Sequence, residues 1–484
     1  MSVPRRLALA ARLLAFAHLV CVPAALAQAT KTEAAKPSPF LVKPYLQIGD
    51  AAPGTLRLLW QTSEADGDWS VAYQPEAGKP WRTADAPEAR TIAVAGVAPH
   101  RMFHATLKDL PPGSTFPYRV SRRGDVVFEA EAKARKGADQ PFRFVAFGDC
   151  GANTVEENAI AYRAYLAAPD LVVIPGDIVY SRGRISEYRR NYWPTYNADR
   201  ASYKTGAPLM RSTLFVAAPG NHDVATRDLD AYPDGLAYFH LWDQPRNGPV
   251  GKEGGPLVPP LTGSDGNKKA FFDASGPAYP RMANFSFDYG NAHWTVLDSN
   301  PYVDWTDPEL RSWVAADLAS AKGSAWRFVA FHHPGFNSSK AHFGEQAMRP
   351  LSDVFEAGKV DVVFNGHVHN YQRTFPMRFA ADRRPDGKVA FDNQKVAGRW
   401  TLDKSFDGRT DTRPDGVIYV ITGAGGQSLY NPEQQDDPAG WQPFTNKYAA
   451  KVHSLTVADV SGRTLTVRQL TAHGDSLDDF TITK

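Results

Sequence analysis

Two histidines, His367 and His369, stand one residue apart directly after a run of apolar residues. The run, residues 360–364, has the length and composition of a short buried strand, and Gly366 then allows a sharp turn. Imidazoles in such a turn can each reach a metal ion, and they can serve two different ions. Taken alone, the stretch is equally well interpreted as a pair of ordinary turn histidines.

Four earlier stretches repeat this pattern of an apolar run that ends in a polar turn. In an open α/β sheet the ligand site lies outside the carboxyl ends of the strands, so we expect these turns to converge on one rim. A single Gly-Asp pair is commonplace in turns, but the whole series is hard to explain as turn chemistry. The turns are Gly148-Asp149, Gly176-Asp177 with Tyr180, Gly220-Asn221-His222-Asp223, and His332-His333.

The side chains in these turns have a recognisable coordination chemistry. They comprise carboxylates, an amide oxygen, several imidazoles and a phenol. This mixture suits Fe, Zn or Mn and contains too much nitrogen for Ca²⁺ or Mg²⁺. Two ions bridged by a carboxylate can clamp a phosphoryl group and lower the pKa of a bound water molecule. The side chains therefore favour metal-assisted hydrolysis of a phosphate ester.

The elements that must position these side chains form two regions. Up to about residue 140, short apolar runs alternate with Pro, Gly and acidic turns, which predicts an all-β domain. From Phe142 onward, strands and helices alternate, which predicts an α/β domain. We expect the domains to cover residues 38–135 and 141–484, with the charged stretch 129–139 as the linker.

Three helices and one hairpin are predicted in the α/β region. The helices are expected at about residues 155–168, 308–321 and 346–357, and the hairpin turns at Ser461-Gly462-Arg463. The Gly- and Pro-rich stretch 224–281 is expected to pack down through its aromatic residues and to wall the pocket. The glycine-rich turn 423–426 lacks the lysine of a phosphate cradle, so we expect it to permit close backbone packing instead.

In order and spacing, the polar turns resemble the five signature blocks of the calcineurin-like metallophosphoesterases. Within that superfamily, the stretches 176–180 and 366–373 are similar to those of the purple acid phosphatases. The resemblance extends from about Pro39 to the C-terminal strands. It implies an α/β (α+β) four-layer metallophosphoesterase sandwich for the catalytic domain. In the N-terminal β-region, the stretch 110–120 resembles part of a fibronectin type III-like β-sandwich.

The resemblance also implies a role for each matching side chain. The ligands of the first ion, Fe(III) in the family, would be Asp149, Asp177, Tyr180 and His369. The ligands of the second, divalent ion (Fe, Zn or Mn) would be Asn221, His332 and His367, with Asp177 as the bridge. The catalytic imidazoles that face the phosphate would be His222 and His342.

Three of these assignments have alternatives. Successive residues near a strand end point to opposite sides, so only one of His332 and His333 should face the metals, and the following Pro-Gly favours His332. Tyr180 has a second interpretation as a packing residue at the base of its loop. His342 matches one of two adjacent pocket histidines in plant relatives, but Ala341 occupies the other position, so the pocket has one imidazole fewer.

Residues 1–27 have the composition of an export signal. Three arginines precede or interrupt an apolar stretch, and Ala25-Leu26-Ala27 is a small-x-small cleavage site. The apolar stretch is shorter than a membrane-spanning helix requires. Removal of this segment changes the formal charge from +2 to −1 and leaves Cys150 as the one cysteine. We therefore expect no internal disulfide bond and no field that attracts nucleic acid or membranes.

The leading interpretation is an exported acid phosphatase, periplasmic or secreted, in which metal-bound hydroxide attacks a small phosphate monoester. A phosphodiesterase that uses the same dinuclear site is the alternative. A non-catalytic binding protein is a third possibility, and the intact series of ligands argues against it.

Overall fold

The computed structural model describes residues 38–64, 67–224, 226–252, 254–258 and 260–484. The predicted export segment 1–27 lies outside these ranges. Within them, no helix has the length and apolar character needed to cross a bilayer.

Residues 42–133 form two antiparallel four-stranded sheets that pack face to face. The Trp60 ring stacks on Phe103 of its own sheet at 5.4 Å, and Trp69 of the other sheet lies 5.9 Å from Phe103. An all-β region is therefore present, whereas its fibronectin type III-like character stays a prediction. The first sheet has the order Val42–Gln47, Leu56–Ser63, His100–Leu107, Glu88–Ile92, and the second Arg82–Thr83, Trp69–Tyr73, Thr115–Arg122, Asp125–Lys133.

The stretch expected to be a linker begins later than predicted. The strand Asp125–Lys133 continues through the charged residues that follow Phe128. Small apolar residues alternate with them, and Ala132 is buried in the core while Glu129 faces Arg119 of the neighbouring strand. Because side chains of a strand alternate between its two faces, a charged run of this kind can still pair as a strand.

Residues 142–483 contain two central sheets that lie one on the other. Both combine parallel strands with antiparallel strands at one or both sides. The first central sheet has the order Leu214–Ala217, Leu171–Ile174, Phe142–Ala146, Ser454–Ser461, Thr464–Thr471, Ser476–Thr483. The second has the order Phe285–Tyr289, Ala292–Val296, Trp326–Ala330, Val362–Asn365, Ile418–Thr422, Tyr371–Thr374, Thr445–Ala449.

The strand Phe142–Ala146 shows how the layers are built. Phe144 points between the sheets, where its ring lies edge-on to Trp294 at 5.0 Å and to Phe364 at 5.5 Å. Its neighbour Val145 points the other way and packs in the same cluster as Ile160 of the outer helix. Apolar residues on both faces of a strand require cover on both sides. The result is a helix–sheet–sheet–helix arrangement, in agreement with the predicted four layers.

The outer helices begin at residues that cap them. Thr154 accepts a hydrogen bond from the Glu157 amide at the start of Val155–Leu166, and Asp307 caps Pro308–Ser320. The helix expected at 346–357 is shorter, because a 3₁₀ turn at Arg349–Leu351 precedes Ser352–Ala357 and Pro350 has no N–H to donate. Other helical segments are Ile185–Glu187, a π-helical turn at Tyr188–Tyr192, Trp193–Tyr196, Asn221–Val224, Tyr238–Leu241, Asp265–Ser275, Gly276–Ala278, Arg281–Ala283, Pro432–Asp436 and Pro438–Gly440.

Two further expectations agree with the structure, and one feature was not predicted. The hairpin Ser454–Ser461 with Thr464–Thr471 joins the first central sheet. Tyr238 and Phe239 anchor the Gly- and Pro-rich stretch in the interior. Small two-stranded sheets occupy the insertions, namely Asn197–Ser202 with Gly206–Pro208, Met377–Ala381 with Gly398–Leu402, and Phe391–Asp392 with Lys395–Val396.

Candidate metal centre

The turns that follow the parallel strands hold several expected ligands in an uncommon backbone conformation. Asp149, Asp177 and His367 have φ angles of 58°, 50° and 67°. Positive φ is sparsely populated by residues other than glycine and costs free energy, which the surrounding packing must supply. Strain at three positions in one cluster is typical of a functional site.

A first group of donor atoms surrounds the Tyr180 hydroxyl. This oxygen lies 3.2 Å from Asp149 Oδ1, 3.0 Å from Asp177 Oδ2 and 3.2 Å from His369 Nε2. The Nδ1 of His369 lies 2.8 Å from the Ser428 carbonyl oxygen and must donate to it. In the neutral imidazole, Nε2 therefore carries the lone pair and directs it at the carboxylates.

A second group surrounds the side-chain oxygen of Asn221. His332 Nε2 and His367 Nδ1 each lie 3.0 Å from this oxygen. His332 Nε2 is also 3.2 Å from Asp177 Oδ1. Because His332 Nδ1 donates to the Pro175 carbonyl at 3.0 Å, its Nε2 lone pair also faces inward.

Asp177 belongs to both groups. One carboxylate oxygen faces Tyr180 and the other faces His332. The amide of His222 donates to the second oxygen at 2.9 Å. Lone pairs of carboxylate, amide and imidazole thus point at one another in two adjacent places, an arrangement that two cations would stabilise. The residues present fit a pair of borderline metal ions.

The pKa values of Asp177 and His332 are shifted in the directions expected of a site that attracts positive charge. Burial alone would raise the pKa of Asp177, but His332 and His222 outweigh burial and hold it well below its usual range. Burial alone would lower the pKa of His332, but Asp177 raises it to about 9. Asp177 therefore attracts a proton to His332, and a metal ion bound at this place would replace that proton.

A buried carboxyl group, Asp223, ties two of the turns together. It accepts hydrogen bonds from the amides of Ile178 at 3.1 Å and Gly220 at 2.8 Å. Burial, with a further contribution from Asp177, raises the pKa of Asp223 to about 8. Asp223 therefore holds the Asp177 turn against the Asn221 turn without facing the donor atoms itself.

His222 lies at the open side of the centre. Its Nδ1 is 2.8 Å from the Ser181 carbonyl oxygen, and its Nε2 is 3.9 Å from Asp177 Oδ2. The side chain is 34% exposed, in contrast to the buried ligands beneath it. It can therefore meet both the centre and a molecule that enters from solvent.

Ser299 separates the roles of the two adjacent histidines. Its hydroxyl lies 2.9 Å from His333 Nδ1 and accepts hydrogen bonds from the amides of His332 and His333. His333 is thus held by a serine, whereas His332 faces Asn221. The choice of His332 as the ligand stays a prediction, since His333 also lies in a group with His332 and His367 whose donor atoms are within 4.8 Å of one another.

The motifs did not indicate Glu345. This carboxylate lies 2.7 Å from His342 Nδ1 and 2.8 Å from His367 Nε2. The two imidazole rings are 4.0 Å apart. Glu345 follows His342 by three residues, and that His-x-x-Glu spacing is a signal in the sequence that could have indicated it. Tyr430, whose ring stacks on His369 at 4.0 Å, has no such signal.

Glycines allow the turns to approach so closely. A Cβ atom on Gly220 would lie 2.1 Å from the Asp177 amide nitrogen. On Gly423 it would lie 2.4 Å from the Val368 carbonyl oxygen, which agrees with the close backbone packing expected of turn 423–426. All nine predicted site residues therefore lie in or beside one centre, and their roles as ligands or catalysts stay predictions.

The comparisons with known proteins agree with one another on the family that this chain resembles. Residues 142–371 match the family described as Calcineurin-like phosphoesterase. The chain is 26% identical over 282 residues to purple acid phosphatase 1 of Ipomoea batatas, covering 56% of this chain and 51% of that protein. It is 25% identical over 321 residues to purple acid phosphatase 21 of Arabidopsis thaliana, covering 64% and 62%. The chain thus spans about half to three-fifths of the length of these relatives.

A solved structure shares the fold. Purple acid phosphatase PPD1 from yellow lupin (Lupinus luteus) seeds superposes with a TM-score of 0.63 at 18% identity, covering 91% of this chain and 74% of that one. The chain is therefore purple acid phosphatase-like, and its residues 142–371 are a calcineurin-like phosphoesterase domain, as the order of the sequence blocks predicted.

Proposed function

We propose that the protein is an exported dinuclear-metal phosphatase that hydrolyses small phosphate monoesters. The observation that carries the proposal is the position of Asp177, whose two oxygens face separate groups of nitrogen and oxygen donors. A bridging carboxylate between two such groups is the arrangement that a metal pair needs. The proposal of export rests on the composition of residues 1–27.

Two sets of side chains would hold the metals. When bound, the ions would polarise the phosphate ester and lower the pKa of a water molecule, so that a nucleophile is available near neutral pH. The set for Fe(III) would be Asp149, Asp177, Tyr180 and His369. The set for divalent Fe, Zn or Mn would be Asp177, Asn221, His332 and His367.

The imidazoles at the open side of the centre would bind the phosphate and protonate the leaving group. His222 would donate a proton to the leaving oxygen of the ester, because its exposed ring stands beside the bridging carboxylate. Its Nδ1 contact with the Ser181 carbonyl fixes the ring orientation for that transfer. His342, beside His367, would bind a phosphate oxygen.

The contacts of Tyr180 favour a monoesterase of the acid phosphatase type. Its hydroxyl lies among two carboxylates and an imidazole and would ligate Fe(III) as a phenolate. The pKa of Tyr180 is raised by burial and by the neighbouring Asp149 and Asp177, and a cation bound beside its oxygen would lower it again. Its position among the ligands supports this role over packing at the base of the loop.

The first test is the visible absorption spectrum of the purified protein, followed by assays with 4-nitrophenyl phosphate and bis(4-nitrophenyl) phosphate. We expect a tyrosinate-to-iron charge-transfer band that disappears in Tyr180→Phe and persists in Tyr203→Phe, an exposed tyrosine elsewhere. Asp177→Asn should abolish turnover in a folded protein. A colourless, fully active protein would contradict the iron assignment, and faster cleavage of the diester would favour the phosphodiesterase alternative.

A further inference from the structure

The carboxylate of Glu345 divides its two oxygens between two imidazoles. Oε2 lies 2.8 Å from His367 Nε2, and Oε1 lies 2.7 Å from His342 Nδ1. His367 belongs to the buried donor groups, whereas His342 is partly exposed at the open side. Glu345 is therefore the side chain that joins a proposed metal ligand to a proposed phosphate-binding residue.

Donor and acceptor requirements fix the tautomer of both rings. An ionised carboxylate only accepts hydrogen bonds, so His367 Nε2 and His342 Nδ1 must both donate. His367 then keeps its lone pair on Nδ1, the atom 3.0 Å from Asn221 Oδ1. His342 keeps its lone pair, or gains a second proton, on Nε2, which the contact with Glu345 leaves available.

The backbone around Glu345 is anchored from two sides. Its amide donates to the His342 carbonyl at 3.0 Å and closes a turn between the two residues. The next residue, Gln346, donates from its amide to the Gln394 carbonyl at 3.0 Å and accepts from the Val396 amide at 3.0 Å. The hairpin Phe391–Asp392 with Lys395–Val396, which lies outside the sequence blocks that carry the family resemblance, thus supports this turn.

We infer that Glu345 is a positioning residue that orients His367 toward the metals and His342 toward the substrate phosphate. The inference rests on the proposed function and adds a residue and a supporting insertion to it. Carboxylates that bind the second nitrogen of a ligating histidine fix its ring and tautomer, and their removal typically lowers metal affinity by about 10- to 100-fold.

The substitution Glu345→Gln is a sharp test because an amide has one acceptor and one donor group. If the amide N–H faces His367, then Nε2 must accept, Nδ1 carries the proton, and the ring no longer ligates. If the amide oxygen faces His367 instead, His342 must reverse its tautomer. Glu345→Ala removes both contacts, and Glu433→Gln serves as the control because this exposed glutamate lies on a neighbouring loop beside Lys340.

The primary readout is metal affinity, measured by titrating apoprotein with Zn²⁺ in competition with a chelator. We expect Glu345→Ala to weaken the more weakly bound ion by about 10- to 100-fold, with Glu433→Gln at the wild-type value. Wild-type affinity in both Glu345 variants would overturn the inference. This measurement needs no turnover, so an inactive wild-type protein that shows the expected loss of affinity would refute the proposed function alone.

The second readout concerns His342. In a double-mutant cycle on the KM for 4-nitrophenyl phosphate, Glu345→Ala and His342→Ala should be non-additive, because Glu345 acts through His342. Additive effects would overturn this part of the inference. His342→Ala should leave the number of bound ions unchanged. Loss of an ion from both variants would instead show that His342, Glu345 and His367 hold a cation directly, and would also overturn it.

Discussion

A substitution at Gly220 offers a direct way to move Asp177, the proposed bridging carboxylate, without changing its chemistry. A Cβ atom at this position would lie 2.1 Å from the Asp177 amide nitrogen and 2.2 Å from Asp177 Oδ1. Cβ atoms essentially never approach other atoms within 3.0 Å, so Gly220→Ala requires Asp177 or its own turn to shift by about 1 Å. A misplacement of about 1 Å can cost about 100-fold in rate when reacting groups depend on orientation.

We therefore expect Gly220→Ala to lower kcat/KM for a phosphate monoester by about 100-fold or more and to reduce the metal bound per chain. The matched control is Gly323→Ala, where a Cβ atom would meet nothing within 4 Å. Circular dichroism and thermal unfolding show whether both variants are folded. A folded Gly220→Ala protein with wild-type kcat/KM and a full complement of metal would refute the argument that close packing of these two turns positions Asp177.

Two predictions concern stability away from the centre. Burial opposes a charge on His293, but Asp288 and Asp317 raise its pKa to about 9. Because the pKa of histidine in the unfolded chain is about 6.5, the protonated His293 adds about 3 kcal/mol to the free energy of unfolding below pH 6.5, and this contribution is lost as the pH rises through 9. The free energies of unfolding of the wild type and His293→Gln should therefore converge near pH 10. A difference that stays constant with pH would contradict this reasoning. The buried pair Arg373 and Asp478, joined at 2.6 Å, predicts a loss of about 3–5 kcal/mol for Asp478→Ala in urea unfolding, with a smaller loss when Arg373→Met is added. Equal losses in the single and double variants would contradict that reasoning.

Much of the centre could be predicted from the chain because most of the proposed ligands lie within a few residues of the end of an apolar run. The strand Phe142–Ala146 is followed by Asp149, and Val362–Asn365 is followed by His367. Strand length and turn position are local properties, set by side-chain burial and by glycine, so they can be predicted from the sequence pattern. Boundaries were less predictable: the strand that runs to Lys133 shows that an alternating pattern can outweigh a high charge density.

Contacts between distant turns were decided only in the folded protein. The hydrogen bond that holds His333 Nδ1 depends on Ser299, and the tautomer of His367 depends on Glu345. Neither neighbour lies within the turn it controls, so no local spacing encodes the contact. The chemical groups at the strand ends could be predicted from the chain alone, because they follow from local pattern. Which imidazole nitrogen faces the donor groups, and the position of Asp177 between both groups, followed only from the fold, because they depend on how separate turns pack at one edge of two sheets.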